Sequence, residues 1–220
     1  MPAVARTQNP LATASSGTAE LDDQILRQIL CSVEGNAQLS QRQLSSELGI
    51  ALGSVNWYLK RCISKGLIKI SQVPLKRYMY FLTPQGLDEK GRLMAQYLKW
   101  SLDFFRLGRE ESAEILSRCA TLRQADIILA GDSDFAEIFI MSAMDSPVTI
   151  HAIFENGHKD SKRLRVPIIG ALPEIKAVYI LTDMTQPQIT WNFLRAHGVS
   201  EESIIIPKLL YFRPAAVTVS

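Results

Sequence analysis

A chain of 220 residues is long enough to bury one large core or two small ones. It contains no apolar run approaching ~18 residues, so no transmembrane helix is expected. Cys31, Cys62 and Cys119 are odd in number and lack metal-ligand spacing, which favours reduced core thiols in a cytosolic protein over a disulfide or zinc site. The formal net charge of +2 hides an asymmetry: residues 21–84 carry eight Lys and Arg against four Asp and Glu, whereas residues 126–220 carry eight against eleven. The basic half is the candidate for a nucleic-acid footprint, and the acidic half is a poor one.

Residues 1–20 are rich in Ala, Ser, Thr and Pro with one Arg and no apolar h-region, which reads as a disordered tail rather than a signal peptide. The next segment, 21–83, carries the most informative pattern. Ser40 and Gln43 form a capping box that opens a short helix with Leu44, Leu48 and Ile50 on its apolar side. Gly49 sits just past its end, where a left-handed residue is usual. A second helix runs over about 52–65, with Val55, Leu59, Cys62 and Ile63 as a buried stripe.

The opposite face of that second helix carries Gly53, Ser54, Asn56, Trp57, Lys60 and Arg61, and Arg42 lies on the helix before it. Small, amide and basic side chains suit base edges and phosphates. An exposed Trp is unusual for a face that is merely solvated. A solvated basic face would account for the helix pair alone. The segment that follows tips the balance, because 67–72 alternates, 73–76 turns, and 77–82 is rich in strand formers. This is the layout of a helix-turn-helix with a β-hairpin wing. Lys76 and Arg77 fall at or near the tip, where a wing would meet backbone phosphate or the minor groove.

The run LSQRQLSSELGIALGSVNWYLKRCISKGLIKI, followed by YFLTPQGLDEKGRLMAQYL, resembles the MarR-type winged-helix regulators, and within them the group associated with bacterial exopolysaccharide gene clusters. The resemblance covers about residues 22–105. It implies a DNA-binding transcription factor with the helix at 52–65 as reader. The chain departs from the small members of that family by continuing well beyond the long helix that follows the wing.

Thr83-Pro84 opens that helix, and residues 84–124 read as linking or dimerisation helices. Leu87, Met94, Leu98, Ser101 and Phe105 mark one helical face, and Leu93, Tyr97, Trp100, Phe104 and Leu107 a neighbouring one. A helix apolar over so much of its circumference must bury against something besides its own wing. A second subunit and the C-terminal half are the two candidates. A break is expected at Gly108.

Residues 125–220 alternate strands and helices. Strands are expected at 126–130, 148–154, 166–169, 177–182 and 203–206, and helices at 134–144 and 186–197. Residues 156–165 read as a polar loop. Such alternation argues for a parallel, doubly wound sheet, so the fold class is α/β overall with an α+β winged helix at the front. The first turn, A-G-D-S-D-F-A, resembles G-x-G-x-x-A with Ser133 in place of the middle glycine, and Glu155 sits where an acidic ribose ligand would, 24 residues after Gly131. Asp132 and Asp134 would repel a pyrophosphate. The stretch HAIFENGHKDSKRLRVPIIGALPEI is similar to Rossmann-like domains of nucleotide-sugar-processing proteins. The candidate ligand residues are Gly131, Asp132, Ser133, Glu155 and Thr182, with a nucleotide or nucleotide sugar as candidate effector and no certain cofactor. A packing or assembly domain without a ligand stays open beside that reading.

His151, His158 and His197 lie far apart, and no P-loop, G-x-S-x-G elbow or Tyr-x-x-x-Lys dyad occurs. No enzyme activity is expected. The expectation is a cytoplasmic, homodimeric regulator that binds double-stranded DNA and spans no membrane. The alternatives are a nucleotide-sugar-modifying enzyme whose winged helix contacts protein or RNA, and a structural adaptor.

Overall fold

The computed structural model describes residues 14–73, 77–122, 126–157 and 161–214, with side chains from residue 21 onward in the first stretch. The chain divides into two compact units, Met1–Trp100 and Ser101–Ser220.

The first unit begins with helix α1, Ala14–Gly35, so the expected tail gives way to helix within its last residues, and the rest of that tail lies outside the described residues. Helix α2, Gln41–Leu48, starts on the expected capping box: Gln43 N–H donates to Ser40 Oγ at 3.2 Å, and Ser40 N–H donates to Gln43 Oε1 at 2.9 Å. It ends on Gly49 at φ 64°, in the left-handed region. Helix α3, Leu52–Ser64, follows after two residues. Strands β1, Ile68–Val73, and β2, Arg77–Leu82, pair antiparallel from Ile68 opposite Leu82 to Val73 opposite Arg77. Helix α4, Pro84–Thr121, opens on Thr83, whose hydroxyl accepts from Gly86 N–H at 3.0 Å. One core joins these elements: Ile29, Leu30 and Val33 of α1, Leu44 of α2, Val55, Leu59 and Cys62 of α3, Ile68 and Tyr80 of the hairpin, and Leu93 of α4. Truncating a residue such as Leu59 there would cost about 2–5 kcal/mol.

The second unit is built on a six-stranded sheet. Its strands are β3 (Asp126–Ala130), β4 (Thr149–Phe154), β5 (Ser161–Arg163), β6 (Val166–Ile169), β7 (Val178–Leu181) and β8 (Ile204–Ile205), in the order β5-β6-β4-β3-β7-β8. Every pairing is parallel except β5 with β6. Helix α5, Asp134–Ala143, connects β3 to β4, and α6, Pro187–Ala196, connects β7 to β8. Successive residues of β3 serve opposite cores. Ile127 and Leu129 pack with Phe135 and Phe139 of α5 and with Ile115, Leu116 and Cys119 of α4, whereas Ile128 and Ala130 pack with Trp191 and Leu194 of α6. Burial on both faces is why this strand reads as an unbroken apolar run.

Two expectations are corrected. α4 does not break at Gly108 but runs as one helix of 38 residues. Gly108 is buried, and a Cβ there would lie 3.2 Å from Ile138 of α5, so the glycine lets the two helices approach. Its propensity penalty of about 1 kcal/mol is too small to interrupt a helix held by packing over this turn. The polar loop at 156–165 contains β5. Three polar residues in an edge strand show no apolar alternation, and only antiparallel pairing with β6 defines them.

Gly131, at φ 114°, closes the carboxyl end of β3, where a Cβ would fall 2.4 Å from the backbone of Asp183. Gly131→Ala should therefore destabilise the second unit by more than about 2 kcal/mol, combining backbone strain with a clash. The effect should be read as faster amide exchange along β3 and β7 in the full chain, and exchange equal to that of the parent would contradict this packing.

Candidate nucleic-acid interface

α3 presents two unlike sides. Val55, Tyr58, Leu59 and Cys62 are buried, and Ile63 packs partly against the same core. Gly53, Ser54, Trp57 and Lys60 are exposed, with Trp57 54% accessible, and Asn56 is half-buried at the edge of that face. Arg42 is exposed on α2. Lys65 and Lys69, which the helical-face reading left out, are also exposed, just beyond α3 and on β1. Their signal in the sequence was the basic excess of the segment rather than any periodicity. Lys76 and the side chain of Arg77 lie outside the described residues, and the Arg77 backbone opens β2.

Tyr58 was not part of the expected stripe. Its ring is 8% accessible, and its hydroxyl donates to Asp22 Oδ1 of α1 at 2.5 Å. The other oxygen of Asp22 takes Arg61 Nη1 at 2.5 Å. Hydrogen bonds from Tyr58 and then Arg61 hold the Asp22 carboxyl below its usual range. Burial, followed by the bond to Asp22, pushes Tyr58 up to about 12. The Arg61 guanidinium also lies 5.2 Å from the centre of the Trp57 ring, and Trp57 meets Tyr58 edge-on at 4.8 Å. Trp57 is thus exposed yet oriented by two neighbours. Burial pushes the Cys62 thiol up to about 11, so it is an inert core group.

The residues singled out in the second unit converge at the carboxyl ends of β3, β4 and β7, where the sheet extends through β4 on one side of β3 and through β7 on the other. Asp132 N–H donates to Glu155 Oε2 at 2.8 Å, Ser133 Oγ donates to the Thr182 carbonyl at 2.6 Å, and Thr182 Oγ1 donates to the Gly131 carbonyl at 2.6 Å. Ser133 also caps α5, accepting from Ala136 N–H at 3.2 Å. The Asp132 amide, the Ser133 and Thr182 hydroxyls and one Glu155 oxygen are therefore bonded within this junction. Arg163 of β5, absent from the expected set, reaches Asp132 Oδ1 with Nε at 2.5 Å and Glu137 Oε2 with Nη1 at 2.9 Å. It offsets part of the negative charge expected to repel phosphate. The strand that carries it was hidden in a polar loop, so no pattern announced it.

Among the described residues no cluster of three or more His, Cys, Asp and Glu could hold a metal ion. His151 pairs with Asp126 at 2.6 Å, and His197 stacks on Phe193. His158 lies outside the described residues. The first unit holds a cleft of about 470 Å³ between α1 and α4, lined by Leu21, Gln24, Arg27, Leu93, Tyr97 and Trp100. The Arg27 guanidinium covers the Tyr97 ring there at 4.1 Å. No described helix is long and apolar enough to cross a membrane.

None of the curated protein sequences matches the chain. Among solved structures, wild-type MarR from E. coli in its apo form is similar at 20% identity, over 39% of this chain and 74% of that chain, with a TM-score of 0.29. That similarity is too low to bear on the fold or activity of this protein. Residues 22–69 match the family model of winged helix-turn-helix DNA-binding domains, a span that takes in most of α1, all of α2 and α3 and the start of the wing. The first unit carries a winged helix-turn-helix of the DNA-binding type.

Proposed function

We propose that this protein is a sequence-specific transcriptional regulator that reads duplex DNA with α3 and contacts phosphate with the cations around it. The observation that carries the reading is the match of residues 22–69 to a DNA-binding winged helix-turn-helix, together with an α3 face that leaves Gly53, Ser54, Trp57 and Lys60 open. A small-residue start lets a helix approach base edges, and a nearby amide and cations supply base and phosphate contacts. The resemblance of residues 22–105 to exopolysaccharide-associated MarR-type regulators makes polysaccharide-synthesis genes the proposed target. The chain acts without catalysis in this reading, in the cytoplasm.

Selection from random duplexes should enrich one motif. Lys60→Ala should weaken binding to all sequences and reduce the salt slope by about 0.9, whereas Asn56→Ala should relax base preference by about 1–3 kcal/mol. A pool that enriches nothing would sink the proposal.

The assembly we propose is a homodimer through α4, on which Tyr97, Leu98, Trp100, Leu102 and Leu107 are exposed. Two reader helices would then address half-sites about 34 Å apart on a pseudo-palindrome. Light scattering at micromolar concentration should give twice the chain mass, and a monomer with and without DNA would remove this claim.

The second unit fits a Rossmann-like domain. Counted in chain order, its five mutually parallel strands stand in the order 3-2-1-4-5, and Gly131, Ser133, Glu155 and Thr182 sit where such a sheet binds ligands. An effector recognised through hydroxyl groups suits a rim with this many carboxylates better than a bare phosphate does. Nucleotide sugars and nicotinamide cofactors should be tested by thermal shift, where a ligand at a hundred times its dissociation constant adds about 2.7 kcal/mol. If nothing shifts the melting point, the unit is a packing or assembly domain.

A further inference from the structure

The contact that joins α1 to α3 bears directly on how the reader face meets DNA. Arg61 lies on α3 one residue from exposed Lys60, so by sequence it should contribute a phosphate contact. Its guanidinium instead meets the Asp22 carboxylate at 2.5 Å, and it spans 39 residues of sequence to do so. The carboxylate is held in place independently of Arg61, because the Tyr58 hydroxyl donates to its other oxygen. Tyr58 is itself packed in the core, so the acceptor is fixed whether or not the arginine is engaged. The same guanidinium lies over Trp57, so leaving Asp22 would also withdraw it from the ring.

A cation already neutralised by a carboxylate of its own chain adds little to counterion release when DNA binds, because the released charge must first be separated from its partner. The Asp22–Arg61 pair is about one-third accessible on each side, so a phosphate can compete for it in water. The two anions, one in the protein and one on DNA, therefore draw on the same guanidinium.

We propose that Asp22 is an internal competitor for DNA phosphate: it withholds Arg61 from the nucleic acid, uses it to orient Trp57, and thereby sets the affinity and salt sensitivity of the reader helix. The proposal rests on the DNA-binding reading and adds to it a residue of α1, off the reader helix, that tunes binding. Arg61 is in this sense a positioning residue for Trp57.

The test is a double-mutant cycle on the full chain, in which affinity for the selected duplex is measured across a salt series. Asp22→Asn should bind more tightly at low salt, with a slope steeper by about 0.9, the value for one added phosphate contact. Arg61→Ala should cost the Asp22→Asn protein that whole gain and cost the parent chain distinctly less. Tyr58→Phe, which keeps the ion pair, should leave the slope as it is. A gain in Asp22→Asn that survives Arg61→Ala would be a general effect of lost negative charge and would overturn the proposal. If Asp22→Asn does not fold, Arg61→Ala alone decides, and a parent slope that falls by about 0.9 overturns it. A parent chain that binds no duplex at any salt defeats the DNA-binding reading and this inference with it. Binding with equal slopes throughout defeats this inference only.

Discussion

Burying the ring of Tyr58 obliges its hydroxyl to find an acceptor, since an unpaired hydroxyl in a core costs on the order of 1–3 kcal/mol. Asp22 is that acceptor, and much of the character of α3 follows from it. The carboxylate ties α1 to α3, its second oxygen engages Arg61, and the Arg61 guanidinium lies over the Trp57 ring. The face that is left has a small-residue start, one oriented indole and one prominent cation, Lys60. One of its two cations, Arg61, is paired with a carboxylate of the same chain, and its indole has two neighbours in contact.

The second unit obeys a different constraint. β3 is central and covered on both faces, so its side chains from Ile127 to Ala130 are committed to packing, and the polar groups of the junction lie just beyond its carboxyl end. Even there the strand ends approach so closely that Gly131 has no room for a Cβ beside Asp183. Ser133, Thr182 and the Asp132 amide spend their hydrogen bonds on holding that junction together.

Gly108 illustrates how a residue's meaning depends on its neighbours. In isolation a glycine after an aromatic-rich helical run reads as a stop. In α4 it is the position at which the helix must come within contact of Ile138, and the Ser112 hydroxyl four residues on donates to its carbonyl at 2.7 Å. The packing of the second unit holds the turn helical against the local preference.

Most of the architecture could be read from the chain because it rests on local signals. The Ser40–Gln43 box, the left-handed Gly49, the α3 stripe, the wing, and the alternation of apolar runs with helices each depend on residues within one or two turns of one another, and the structure reproduces them within a few residues at the ends. The open face of α3 was legible for the same reason, as the complement of a periodic stripe. Periodicity does not reveal which partner a side chain will choose across tens of residues. Asp22 with Tyr58 and Arg61, and Arg163 with Asp132 and Glu137, are pairings between elements that only the folded core brings together. Glycine is ambiguous for a related reason, because its lack of a side chain serves a turn or a close contact equally well, and only the atoms placed opposite it decide which.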